Sequence, residues 1–306
     1  MNFDVVIYHK NCRDGICSLW SYHHYTKNKF DIIGLSAGKD PDLSLYDFTN
    51  KNILFTDVCP SFNSLKQLSN IAQSITVIDH HETNVRKYND NKKEFNKMKN
   101  INFIFDMKRS ACMMTWDYLF ENKKRPWFIE HVGDRDIWAG KLKYNDEIIR
   151  AIDYYDLIEA DKLNKIDKLY KYKAHDIKKL IKFGKNIILI NNKIITDEMN
   201  YAIEGVMRVK KHKYRIWVGS IKTDLISDYG NMLALKKFDD NKLPDFVVIW
   251  NYNMYNDSWY VSLRGNDKSP NLSIIAEVFG GGGHPRASGF RLIGKKLQDI
   301  ITFVEK

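Results

Sequence analysis

Short apolar runs alternate with amphipathic stretches through the first half of the chain. Strands are predicted near 3–8, 30–35, 52–56, 75–78 and 102–105, and helices near 16–26, 62–72 and 110–121, with more beyond 126. The runs are too short for helices and partly β-branched, as in Ile75-Thr76-Val77-Ile78. This alternation predicts an α/β fold, a parallel sheet with helices on both faces. From Lys162 to Lys193, lysines surround Leu163, Ile166, Leu169 and Tyr170 at helical spacing, which predicts solvated helices joining two domains. The remainder reads as a smaller α/β domain. Its strands fall near 215–220, 246–252, 258–264 and 288–293, and its helices near 224–237, 271–279 and 296–305. The expected organisation is a domain over 1–155, a helical connector over 156–200 and a second domain over 201–306.

Polar residues follow three of the first-half strands in the same way. Phe3-Asp4-Val5-Val6-Ile7-Tyr8 runs into His9, then Asn11-Cys12-Arg13-Asp14-Gly15. Asn52-Ile53-Leu54-Phe55-Thr56 runs into Asp57, and Ile75 to Ile78 runs into Asp79-His80-His81. Each acid alone reads as a turn or cap residue. In an open α/β sheet, however, ligands bind beyond the carboxyl ends of the strands, so these groups are expected in one crevice. Clustered carboxylates and imidazoles without closing cysteines favour a hard or borderline divalent ion. No Cys-x-x-Cys spacing supports structural zinc.

Two further segments add chemistry. A short helix is predicted after Pro126, from Trp127 to Val132, leading to Asp134-Arg135-Asp136; this triplet reads equally as an exposed ion-paired turn. Near the C-terminus, Gly280-Gly281-Gly282-Gly283-His284-Pro285-Arg286 follows a helical stretch and precedes the strand-like Phe290-Arg291-Leu292-Ile293. Consecutive glycines suit backbone amides approaching an anion, with His284 and Arg286 adding charge; a flexible linker fits that setting poorly. Ser110 is a candidate cap for the helix holding Met113, Met114 and Trp116.

Together these motifs resemble the DHH phosphoesterases with a DHH-associated C-terminal domain, over nearly the whole chain. Asp79-His80-His81 matches the naming motif, Asp57 the preceding lone bridging Asp, and Asp14 the last acid of the first motif. Gly281-Gly282-Gly283-His284 resembles the signature of the associated domain, which grips substrate. Val261-Ser262-Leu263-Arg264 resembles the strand before it, whose arginine contacts phosphate. The pattern His9-x-x-Cys12-x-Asp14-Gly15 resembles a branch related to a bacterial oligoribonuclease and cyclic-nucleotide phosphodiesterase, within a group that includes RecJ-like phosphohydrolases. It departs from the family in two places. Cys12 stands where an acid is usual, and His9 sits five residues before Asp14 rather than six. A thiolate is a soft ligand and a poor replacement for a carboxylate on manganese, so one metal site is expected to be weaker or completed by water.

The resemblance implies a metal-dependent phosphodiesterase hydrolysing short oligonucleotides (nano-RNA) or small nucleotides. It implies two manganese ions, with magnesium the other compatible ion, held by His9, Asp14, Asp57, His80 and Asp134. Asp134 aligns better than Asp136 with the family's last ligand. Asp14, Asp57, His80 and Asp134 are expected at the better-formed site, and His9 with Asp57 at the weaker. The ions would polarise a phosphoryl oxygen and generate hydroxide. Asp79 and His81 are the expected catalytic residues: Asp79 to orient a histidine or accept a proton, His81 to sit on the scissile phosphate or behind the ligands. Arg264, Gly281, Gly282, Gly283 and His284 would bind substrate, in a cleft between the domains. The alternatives are a pyrophosphatase or polyphosphatase, and a catalytically silent nucleotide-binding protein of the same fold. A long-duplex exonuclease is disfavoured, because such relatives carry further nucleic-acid-binding domains.

Composition narrows the setting. With 306 residues, 44% of them hydrophobic and 13% aromatic, the chain holds two ordinary cores and is not globally disordered. The formal charge of +10 rests on 37 lysines against 11 arginines, a bias that an AT-rich genome produces without functional cause. It favours polyanionic substrates by steering but defines no groove. No apolar run approaches membrane-spanning length, and Asp4 argues against a signal peptide. Cys12, Cys17, Cys59 and Cys112 then read as reduced thiols of a cytoplasmic protein. The expected partner is a short oligonucleotide or nucleotide, with no membrane; a homodimer is one state the sequence leaves open.

Overall fold

A computed structural model describes residues 2–26, 28–36 and 38–304. The chain divides into two compact units, Met1–Ile188 and Leu189–Lys306, with the division inside the segment read as a connector.

The first unit alternates strands and helices: β1 (Val5–His9), α1 (Arg13–Tyr25), β2 (Asp31–Leu35), β3 (Asn52–Thr56), α2 (Phe62–Ser69), β4 (Ser74–Asp79), α3 (Glu82–Asp90), α4 (Lys92–Phe95), β5 (Ile101–Phe105), α5 (Ala111–Leu119), α6 (Trp127–Asp136), α7 (Asn145–Tyr154) and α8 (Leu163–Tyr170). Among the described residues, the five strands form one sheet in the order β2-β1-β3-β4-β5, and every pair is parallel. The central strands are mostly apolar because both faces are covered. Val6, Tyr8, Leu54 and Ile78 pack with α1, α5 and α6 residues such as Trp20, Trp116 and Phe128. Val5, Ile7, Ile53, Phe55 and Val77 pack with Leu65 and Leu68 of α2 and Phe95 of α4. The predicted parallel α/β layer is therefore present.

Helix α9 (Ala174–Glu198) leads to the second unit: β6 (Ile203–Val209), β7 (His212–Gly219), α10 (Ile226–Leu233), β8 (Phe246–Asn253), β9 (Ser258–Arg264), α11 (Leu272–Val278), β10 (Gly282–His284), β11 (Ala287–Ile293) and β12 (Ile301–Phe303). The sheet order is β10-β11-β9-β8-β7-β6-β12; β7 and β8 are parallel and the other pairs antiparallel. Leu272, Ile275 and Ala276 of α11 pack on one face, against Leu263, Val261 and Phe290. Tyr229 and Leu233 of α10 pack on the other, against Val247 and Ile249. The lysine-rich segment around Lys210 and Lys211 is the turn of the β6–β7 hairpin.

The helix predicted over 296–305 is not formed. Leu297–Asp299 makes a single 3₁₀ turn, and Ile301–Phe303 is a strand paired with Gly205 to Met207 of β6. Ile300-Ile301-Thr302-Phe303-Val304 is a β-branched run, and an available sheet edge decides its conformation. The last position of that predicted helix, 305, lies outside the described residues. No helix among the described residues is long and apolar enough to cross a membrane.

Candidate metal centre

The strand order reverses direction between β1 and β3, which opens a crevice beyond their carboxyl ends. His9 ends β1, Asp57 follows β3, and Asp79 ends β4 with His80 and His81 next. Asp14 arrives on the first turn of α1. A Cβ on Gly15 would lie 2.3 Å from the His9 carbonyl oxygen, so only glycine lets α1 begin this close to β1. Asp57 is left-handed (φ 59°), a conformation Asp tolerates better than most residues, and its N–H donates to the Ile78 carbonyl at 3.0 Å. That bond ties the end of β3 to the end of β4.

Imidazoles and carboxylates meet there. His9 Nδ1 lies 3.2 Å from Asp57 Oδ2. His80 Nε2 lies 3.3 Å from Asp57 Oδ1, 3.3 Å from Asp136 Oδ2 and 3.5 Å from Asp14 Oδ2. One ring N–H cannot serve three carboxylates, and Asp136 Oδ2 is buried without a hydrogen bond. Potential ligand atoms lie within 4.8 Å of one another in the sets Asp14–His80–Asp136, His9–Cys12–Asp57 and Asp57–Asp79–His80–His81. This hard and borderline donor set, with an orphaned carboxylate oxygen, fits a divalent cation.

Asp79 works on its neighbours. One oxygen accepts from the N–H groups of His80 (2.6 Å) and His81 (3.0 Å) and lies 2.7 Å from His81 Nδ1; the other accepts from Asn84 at 2.6 Å. It thereby fixes the His81 ring and the start of α3. Asn84 was not among the residues singled out from sequence; its position three residues into that turn was the available signal. Asp14 likewise serves α5. Its carboxylate accepts from the N–H groups of Ala111 (2.7 Å) and Cys112 (2.8 Å). Ser110, the predicted cap, makes no side-chain capping bond because this carboxylate occupies the helix end.

Asp134 does not join the cluster. Its buried carboxylate accepts from the Lys141 N–H (2.9 Å) and from Asn145 Nδ2 (2.8 Å), holding the loop between α6 and α7. Asp136 reaches His80 instead. Two residues along a helix turn a side chain through about 200°. Only one of the two acids can face the sheet, and spacing alone did not say which.

Burial beside like charges governs the metal-free electrostatics. Asp14 is pushed up to about 7, first by burial and then by Asp136 and Asp57. Burial would raise Asp57 too, but hydrogen bonds from His80 and His9 hold it well below the carboxylate range. Asp79 is lowered against burial by the charge and hydrogen bond of His81. Burial disfavours charge on the imidazoles, yet the surrounding carboxylates carry His80 to about 10 and His81 to about 9. The Cys12 thiol is pushed well up by burial and by Asp57, Asp136 and Asp14. Those surroundings favour the neutral thiol in the metal-free protein, with the sulfur standing in the possible ligand set of His9 and Asp57.

The other singled-out residues lie in the second unit. Gly280, at φ 77°, ends α11. Its N–H donates to Glu277 and that of Gly281 to Ala276, the paired bonds of a Schellman cap. A Cβ on Gly281 would meet the Gly289 carbonyl oxygen at 2.0 Å. Gly282 and Gly283 lie in β10. Part of the glycine run thus has a purely structural cause. His284, Ala287 and Arg264 form one cross-strand row. Arg264 donates to Ser227 Oγ at 3.1 Å, its Nε is buried without a partner, and burial lowers it to about 10. The Arg286 guanidinium donates to the carbonyls of Asp267 and Ser269, which ties it to the loop between β9 and α11.

No family model matches the chain. Among solved structures, the chain is similar to a pGpG-specific phosphodiesterase, PggH, from Vibrio cholerae (TM-score 0.45, 12% identity, 96% of this chain and 94% of that one). It is also similar to an exopolyphosphatase-related protein from Bacteroides fragilis (0.45, 16%, 96% and 88%) and to RecJ in complex with Mn2+ from Thermus thermophilus (0.45, 12%, 94% and 49%). These scores lie below 0.5, so the strand order, not these likenesses, carries the fold. A curated relative is far nearer in sequence: 31% identical over 309 aligned positions, covering 96% of this chain and 68% of its own length. The chain belongs to the same family as that relative, "Uncharacterized protein R106" of Acanthamoeba polyphaga mimivirus.

Proposed function

We propose that the protein is a metal-dependent phosphodiesterase of the DHH superfamily, acting on short oligonucleotides or small nucleotides. The observation that carries this reading is the convergence of Asp14, Asp57, His80 and Asp136 at the ends of adjacent parallel strands, with Asp136 Oδ2 buried and lacking a hydrogen bond. Asp14, His80 and Asp136 would hold one cation and His9 with Asp57 a second, Asp57 serving both; manganese suits this donor set. Bound there, such an ion supplies Lewis acidity to a phosphoryl oxygen and acidifies a water. Asp79 fixes the orientation of the His81 ring, which would serve a phosphate oxygen or the leaving group. Arg264 and His284 supply charge to a second phosphate of the substrate.

The test is a turnover panel in manganese: dinucleotides, short RNA, short DNA, 3′-phosphoadenosine 5′-phosphate, cyclic dinucleotides and pyrophosphate. Release of mononucleotides from dinucleotides or short RNA is expected. Turnover of pyrophosphate alone would move the protein to the pyrophosphatases, and no turnover with metal bound would make it a silent nucleotide binder. His284→Ala should weaken nucleotide substrates about tenfold with metal affinity unchanged.

A further inference from the structure

The second unit carries more chemistry on the sheet face that bears Arg264. In the observed register, three cross-strand rows on that face read Val247–Arg264–Ala287–His284, Ile249–Ser262–Gly289–Gly282 and Asn251–Tyr260–Arg291. Helix α10 covers Val247 and Ile249. Beyond it, the middle row offers one serine hydroxymethyl and two glycines, a floor with no bulky side chain. At the end of the floor, Tyr260 is 43% exposed, and the Arg291 guanidinium carbon lies over its ring, 5.4 Å from the centroid. Asn256 Nδ2 approaches the Tyr260 hydroxyl at 3.3 Å and steadies the ring. These rows contain two arginines, a histidine and no acid.

We infer that this strip is a stacking site for a base of a single-stranded nucleic acid. Tyr260 and Arg291 hold the base while Arg264 and His284 hold a phosphate of the same strand. A flat aromatic ring with a guanidinium beside it presents a stacking surface to any base, and the acid-free rows complement the backbone charge. This inference rests on the phosphodiesterase reading only in assigning Arg264 and His284 to phosphate. Four residues along β9 separate Tyr260 from Arg264, about 13 Å. A stacked strand advances about 3.4 Å per nucleotide. A strand of several nucleotides spans that distance and engages both ends at once. The substrate class is narrowed to oligonucleotides.

The experiment measures binding of a fluorescein-labelled, phosphorothioate-linked pentaadenylate to the manganese-loaded protein, with AMP as competitor. The pentamer should bind at least tenfold more tightly than AMP. Tyr260→Ala should weaken the pentamer about tenfold and leave AMP unchanged, and Tyr260→Trp should retain tight binding. Arg291→Ala should give a smaller loss in the same direction. No pentamer binding by the wild type, an unchanged pentamer affinity in Tyr260→Ala, or equal losses for pentamer and AMP would overturn the inference. Mononucleotide release from unmodified dinucleotides is measured in parallel. Tyr260-dependent binding without turnover refutes the phosphodiesterase and leaves the stacking site. Turnover with Tyr260-independent binding refutes the stacking site alone.

Discussion

The two units place polar chemistry on their sheets in opposite ways. In the first, the central strands are buried on both faces, so polar groups emerge only where the strands end. His9, Asp57 and Asp79-His80-His81 all stand at such ends. In the second, polar groups lie in cross-strand rows on a partly open face, as in His284–Ala287–Arg264. A parallel sheet thus concentrates function at an edge that local sequence marks, an apolar run followed by polar residues. An antiparallel face distributes function by register, which depends on partners distant in sequence.

The largest effect is expected at the strand ends. Asp57→Asn, which tolerates φ 59°, should lower turnover about a thousandfold, roughly 4 kcal/mol, in a manganese assay on dinucleotides. Near-normal turnover would detach the strand ends from catalysis. Next comes the pair on α6. Asp136→Asn should lower manganese affinity tenfold or more while hardly changing the thermal midpoint of the metal-free protein. Asp134→Asn should do the reverse, with a loss of about 1–3 kcal/mol, because it disturbs bonds from Lys141 and Asn145. Metal affinity and melting measured on both variants decide the assignment.

The glycine run sharpens the other side of the comparison. Gly281→Ala should destabilise the second unit by about 1–3 kcal/mol, since its Cβ would strike the Gly289 carbonyl. Gly280→Ala should cost about 1 kcal/mol for the left-handed cap. Denaturant unfolding checks both. Equal, negligible losses would return the run to a loose loop.

A smaller effect is expected from pH on the metal-free protein. His80 and His81 hold protons up to about 10 and about 9 in the folded state, against an ordinary 6.5. Their contribution is complete below pH 6.5 and lost as pH rises through 9 to 10. Asp14, raised to about 7 from 3.8, acts in the same sense, its contribution lost as pH rises through 7. Asp57 and Asp79 act oppositely, below about pH 4, where their lowered values make protonation destabilising. The midpoint in EDTA should fall by a few degrees between pH 6.5 and 10. Saturating manganese, which competes with those protons, should stabilise most at the alkaline end. A rising midpoint in EDTA over that interval would contradict the packed imidazole–carboxylate arrangement.

Sequence showed the first unit well, for a physical reason. The strands there are mostly apolar runs, and His9, Asp14, Asp57, Asp79, His80 and His81 end or follow one within a few positions, whereas Asp136 comes from α6. The choice between Asp134 and Asp136 was not legible, because it turns on which side of α6 faces the sheet. In the second unit, β8, β9 and β11 were legible from their apolar content, whereas β6, β10 and β12 were not. β10 is three residues long and begins with glycines, and β12 is a strand only because β6 offers an edge. The row joining Tyr260 to Arg291 exists only once β9 pairs with β11.

The central claim is that carboxylates and imidazoles at the strand ends hold divalent cations. Calorimetric titration of manganese into the metal-free wild type and Asp57→Asn proteins tests it most directly. The wild type should bind two ions, and Asp57→Asn should weaken both, because Asp57 touches His9 on one side and His80 on the other. No binding by the wild type, or identical isotherms for the two proteins, would contradict it.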